Sequence, residues 1–179
     1  MTNEQRIYLI GPMGAGKTTI GKMVARDLGF AFADSDNLIE ERTGVDVTTI
    51  FDYEGESGFR KRESEMLKKL STPHQKVIAT GGGAVLSAEN RELMQRSGFV
   101  VYLKVSIRQA IFRTRKDTKR PILQNGDPRE IFTRLAKQRN PLYESIANCT
   151  VDTDQHKTVK LKEIIINHYQ QSLTESTNT

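Results

Sequence analysis

The segment Gly11-Pro12-Met13-Gly14-Ala15-Gly16-Lys17-Thr18 constrains this chain more than any other. It fits the phosphate-binding pattern G-x-x-x-x-G-K-[ST] and follows an apolar run, Ile7-Tyr8-Leu9-Ile10, that reads as a buried strand. Ile20, Met23, Val24 and Leu28 then recur at helical spacing, which predicts a helix from Lys17 onward. Strand, glycine-rich turn and helix in succession wrap backbone N–H groups around an anion at the positive end of the helix dipole. In that setting the loop Gly14, Ala15, Gly16, Lys17, Thr18 and Thr19 is a candidate ATP cradle. Lys17 reaches toward the β- and γ-phosphates, and the Thr18 hydroxyl is a candidate Mg²⁺ ligand.

Four more apolar runs read as strands, at 30–33, 77–80, 99–103 and 149–152. Helical patterns lie between them. One covers 57–70 with Phe59, Met66, Leu67 and Leu70 on one face; others start at Ser87, at Ser106 and at Asp127-Pro128-Arg129-Glu130. Alternation of this kind predicts an α/β fold, a three-layer sandwich around a five-stranded parallel sheet. Ligands in such folds bind beyond the carboxyl ends of the strands.

The 179 residues suit a single domain, and no apolar run reaches the ~18 residues of a membrane span. The polar start Met1–Arg6 is not a signal peptide, and the lone Cys149 reads as a buried strand thiol, so a cytoplasmic protein is expected. A net charge of +5 admits nucleic acid. The basic residues are spread along helices without interleaved aromatics, however, so neither nucleic acid nor membrane is the expected partner. The polar tail after Tyr169 is expected to fray.

Three further stretches carry candidate chemistry. Asp34-Ser35-Asp36 follows the second strand; if the chain stays extended, both carboxylates face the phosphate side, as metal support and proton acceptor. Asp36 could equally cap a helix over 37–42. Gly81-Gly82-Gly83 follows the third strand and reads either as a close-approach loop or as a plain turn. Arg60, and Arg139 near a helix end before Pro141, are forks that could grip a substrate carboxylate or merely sit in solvent. Residues 116–127 lack periodicity and hold Lys119 and Arg120, which favours a lid over a linker.

Taken together, G-P-M-G-A-G-K-T, F-x-D-S-D, G-F-R-x-R-E, T-G-G-G-A-V, K-R-P-I-L and R-N-P-L-Y resemble shikimate kinases from about residue 5 to about residue 155. The resemblance implies a nucleoside monophosphate kinase-like fold and ATP-dependent phosphorylation of the shikimate 3-hydroxyl in aromatic amino-acid biosynthesis. It implies one domain over 1–170, with a substrate segment near 34–62, a lid near 116–127 and a disordered tail over 171–179. Lys17, Asp36 and Arg120 would be catalytic, Arg120 as the lid arginine on the phosphates and Asp36 as hydroxyl ligand and candidate base. Arg60 and Arg139 would hold the shikimate carboxylate, with the Gly82 backbone beside them. Thr18 and Asp34 would support one Mg²⁺, and Gln155 would lie on the adenine side. A monomer working on shikimate and ATP alone is expected.

Other readings were a gluconate or nucleotide kinase, a GTPase-like switch and a basic nucleic-acid binder. A nucleotide acceptor would call for an aromatic or amide base pocket, to which no residues of the sequence point, and neither an N-K-x-D guanine motif nor a nucleic-acid motif occurs. A non-catalysing relative would have lost Lys17, Asp36, Arg60, Arg120 or Arg139, and all five are here.

Overall fold

The computed structural model describes residues 5–72, 75–116 and 126–177. In chain order the elements are β1 (Arg6–Ile10), α1 (Lys17–Leu28), β2 (Ala31–Asp34), α2 (Ser35–Thr43), α3 (Val47–Leu70) and β3 (Lys76–Ala79). A 3-10 turn (Ala84–Leu86) follows, then α4 (Ala88–Ser97), β4 (Phe99–Lys104), α5 (Ile107–Thr114), α6 (Pro128–Ile146), β5 (Cys149–Asp152) and α7 (Thr158–Thr177). The strands pair in parallel in the order β2-β3-β1-β4-β5. The expected α/β sandwich with five parallel strands is what the chain forms.

Strand alternation builds the two cores. Tyr8, Ile10, Ile78, Val100 and Tyr102 face one side and meet side chains of α2, α3, α4 and α6. Ile7, Leu9, Val77, Val101 and Leu103 face the other and meet α1 and α7. Full burial of a side chain such as Leu67 or Ile165 contributes about 1.5–3 kcal/mol, so each face holds its helices firmly. Among the described residues no helix is long and apolar enough to cross a membrane.

Local signals held where a side chain caps a helix. The hydroxyls of Ser87 and Ser106 accept from the N–H groups of Asn90 and Gln109, and Asp127 accepts from Arg129. Three expectations need correction. The helix read over 57–70 begins at Val47 and is broken only at Gly55 (φ 69°, ψ −178°). Arg139 is not at a helix end, because α6 runs on through Pro141. A proline inside a helix costs about 3 kcal/mol, and burial of Tyr143 and Ile146 beyond it offsets that. The tail does not fray after Tyr169, since α7 continues to Thr177 with Leu173 packed on the core. Arg120 and most of the expected lid lie outside the described residues.

Candidate active site

The phosphate loop joins β1 to α1 through glycines at positive φ, including Gly14 at 77° and Gly16 at 88°. A Cβ on Gly14 would come 3.0 Å from the Ala110 carbonyl oxygen, so both the turn and the packing against α5 require glycine. Gly16 stands at the N-terminus of α1 and contributes no side-chain cap, which leaves the first turn suited to an anion. The Lys17 ammonium donates to the carbonyls of Gly11 at 2.7 Å and Pro12 at 2.8 Å, so the loop itself aims it. Ala15 differs from its neighbours: its side chain is core, and its N–H donates to Pro12 O. Thr19 lies exposed on the cleft wall.

Thr18 Oγ1 donates to Asp34 Oδ2 at 2.7 Å, while Asp34 Oδ1 accepts the N–H groups of Asp36 and Asn37. Asp34 is therefore the cap of α2, and the helix starts at Ser35, so the chain does not stay extended through Asp36. Asp36 does not cap; it sits in the first helical turn, and both carboxylates still line the cleft. That cleft, of about 270 Å³, is walled by the loop, Asp34, Asp36, Thr80, Gly82 and Arg113. Among the described residues no three His, Cys, Asp or Glu side chains gather as metal ligands. The Thr18–Asp34 oxygen pair nonetheless fits Mg²⁺, which takes one or two protein oxygens and fills its other positions with water and phosphate.

The glycine run after β3 also makes room for charged side chains. A Cβ on Gly81 would stand 2.5 Å from Glu63 Oε1 and 2.7 Å from Asp36 Oδ1; one on Gly83 would stand 2.2 Å from Arg60 Nη2. The missing side chains are thus seats for charged ones. Ser35 accepts the Gly81 N–H at 3.1 Å, tying α2 to this run. Tyr143, stacked on Tyr102, donates its hydroxyl proton to Gly82 O, and Arg139 lies one helical turn earlier on the same helix. Arg139 is 6% exposed and its Nε has no protein partner. Burial, more than neighbouring Arg60, pulls its guanidinium below the usual range. An anion would relieve both costs. Arg139 also lines an adjoining cavity of about 230 Å³ with Met13, Phe132 and Leu135.

Two residues of this site were missed from sequence. Glu63 is fully buried and accepts from Arg60 Nη1 at 2.8 Å. Its spacing from Phe59, Met66 and Leu67 put a carboxylate on the apolar stripe of α3, a signal that was available. Arg113 donates to Gly14 O at 3.1 Å and Thr153 Oγ1 at 3.0 Å, tying the phosphate loop to the turn after β5. Only the fold brings those together. Gln155 donates to Asp152 and is not part of the cleft wall.

Burial pushes the Glu63 carboxyl from its ordinary 4.5 up to about 7; Arg60 opposes the rise and Asp36 adds to it. Between those two values the folded state holds a proton that the unfolded chain has released. Stability must then fall as pH rises through that window, by at most about 1.4 kcal/mol per pH unit from this group. Urea unfolding at pH 5 and pH 7 should show that loss, and Glu63→Gln should flatten it. An unchanged slope in the variant would remove Glu63 as its source.

A sequence profile described as "Shikimate kinase" matches residues 13–173. The chain is 51% identical over 174 residues to a shikimate kinase of Methylococcus capsulatus, covering 97% of each. It is 52% identical over 154 residues to one of Vibrio parahaemolyticus, covering 86% of this chain and 90% of that one. Its fold resembles the solved structure of shikimate kinase from Acinetobacter baumannii in complex with shikimate, with a TM-score of 0.90, 42% identity and coverage of 97% and 96%.

Proposed function

Because this chain belongs to the shikimate kinase family, we propose that its phosphate cleft and the charged seat at Gly81–Gly83 hold the two partners of one phosphoryl transfer. The activity is ATP-dependent phosphorylation of shikimate. The observation that carries the division of labour is convergence. Asp36, Glu63 and Arg60 close on Gly81 and Gly83, with Arg139 at 3.6 Å from the Cβ position of Gly82. That same position is 3.4 Å from the Gly11 carbonyl at the mouth of the phosphate loop.

In this reading Arg60 and Arg139 take the shikimate carboxylate, the Gly82 backbone lies alongside the ring, and Asp36 faces the 3-hydroxyl. The transfer passes through a loose transition state whose charge sits on the phosphoryl oxygens, so positioning and neutralisation do most of the work. Lys17 and the N–H groups of the loop Gly14–Thr19 supply that positive field. As the hydroxyl oxygen bonds to the γ-phosphorus, the bond to ADP breaks and the hydroxyl proton passes to Asp36. Thr18 and Asp34 would hold Mg²⁺, which supplies charge neutralisation between the phosphates when bound. Arg120, outside the described residues, keeps the role that the family motif gives it. The single buried thiol of Cys149 needs no oxidising compartment, in keeping with a cytoplasmic location.

A coupled ADP-release assay with shikimate, gluconate and nucleoside monophosphates tests the acceptor. Turnover is expected with shikimate alone. Comparable turnover with a nucleoside monophosphate, which has no carboxylate, would overturn the assignment of the two arginines, and comparable turnover with gluconate would overturn the selectivity for shikimate.

A further inference from the structure

Arg60 is held by two carboxylates of its own helix. Nη1 donates to Glu63 Oε2 at 2.8 Å, whereas Nε and Nη2 both donate to Glu56 Oε1, at 3.3 Å and 3.1 Å. The partners differ in kind: the Glu63 side chain is 0% exposed and the Glu56 side chain 56% exposed. Glu63 is fixed by the core around it, and Glu56 is free to swing into water. The edge formed by Nε and Nη2 is one that a carboxylate grips through two parallel bonds. A substrate carboxylate can take it only after Glu56 has left.

We propose that Glu56 is a resident stand-in for the shikimate carboxylate, occupying the Nε–Nη2 edge of Arg60 until substrate displaces it. This rests on Arg60 being one of the two carboxylate-holding arginines. The backbone favours such an exchange. Glu56 is the first residue after the break at Gly55, where φ is 69° and nothing lies within 4 Å of a Cβ position, so glycine there serves the dihedral alone. Glu54, on the other side of the break, is taken by Arg62 through two bonds of 2.8 Å and 2.6 Å. Glu56 is thus left alone to face Arg60. When released, its carboxylate still lies at the start of a helical segment, where negative charge is favoured, so leaving Arg60 costs little. Substrate affinity is then scaled by the fraction of molecules whose Arg60 edge is open.

Steady-state kinetics of Glu56→Gln, Glu56→Ala, Arg60→Ala and the double variant Glu56→Gln/Arg60→Ala test this. An exposed pair of this type supports a shikimate KM lowered about two- to fivefold in both Glu56 variants. The kcat and the KM for ATP should stay unchanged. In the Arg60→Ala background, which raises the shikimate KM, Glu56→Gln should have no further effect. An unchanged or raised KM in the single Glu56 variants would show that Glu56 does not compete, or that it orients Arg60. A lowered KM that persists without Arg60 would reduce Glu56 to a general negative charge near the entrance. If Arg60→Ala itself leaves the shikimate KM untouched, the carboxylate-clamp reading fails and the stand-in role falls with it, whatever the Glu56 variants do.

Discussion

Lys17→Met is expected to cut turnover by at least about a hundredfold to a thousandfold, the loss that follows removal of one preorganised charge-stabilising donor. In the proposed role the ammonium faces the developing charge on the transferred group, so kcat and kcat/KM should fall together. Its present partners are the Gly11 and Pro12 carbonyls, at the loop and outside the hydrophobic clusters. Those carbonyls lose a donor in the variant, at a stability cost of about 1–3 kcal/mol, while the circular dichroism spectrum should be retained. ADP release and thermal melting on the same sample separate the two effects. Near-native turnover from a folded variant would show that this loop is not the phosphate site.

Arg139→Ala should raise the shikimate KM with little change in that for ATP. Losing one partner of a desolvated, charge-assisted pair costs about 2–5 kcal/mol, or roughly thirtyfold to several thousandfold. Arg139 meets the conditions for a large effect, being 6% exposed with its Nε lacking a protein acceptor. Arg139→Lys should recover little, because a point charge cannot reproduce the fork. Initial rates over a shikimate–ATP grid decide the matter; a variant that weakened ATP and spared shikimate would reverse the assignment. Arg60→Ala is a less clean probe. It also strands Glu63, a fully buried carboxylate with Arg60 as its ion-pair partner.

What could be read from the chain was whatever depends on neighbours in sequence. The phosphate loop, the α1 start and the caps Ser87, Ser106 and Asp127 each involve contacts within a few residues. Reading failed where packing overrides a local rule. Pro141 looked like a stop, yet Tyr143 and Ile146 hold the helix beyond it. The cluster of Gly55 and Gly58 hid the first half of α3, whose cap is Asp46 and whose inward residue is Ile50. In sequence the glycine run shows only that its backbone can be approached closely. Its occupants come from α2 and α3, so their identity needed the third dimension.

The adjacency of β1 and β3 also governs when this site can exist during folding. Thr80, directly before the glycine run, donates both its backbone N–H and its hydroxyl to Leu9 O, 71 residues earlier. The donor half, β1 with its loop and α1, is contiguous in sequence, whereas the strands that flank β1 in the sheet, β3 and β4, lie about 70 and 90 residues further on. The acceptor half reaches it only when a long intervening segment has been pulled in and two parallel strands have zipped together, a slow, entropy-limited event. The phosphate loop and the charged seat after β3 are therefore joined by one long-range strand pairing. Bringing the two halves of the cleft together thus depends on closure of the central sheet.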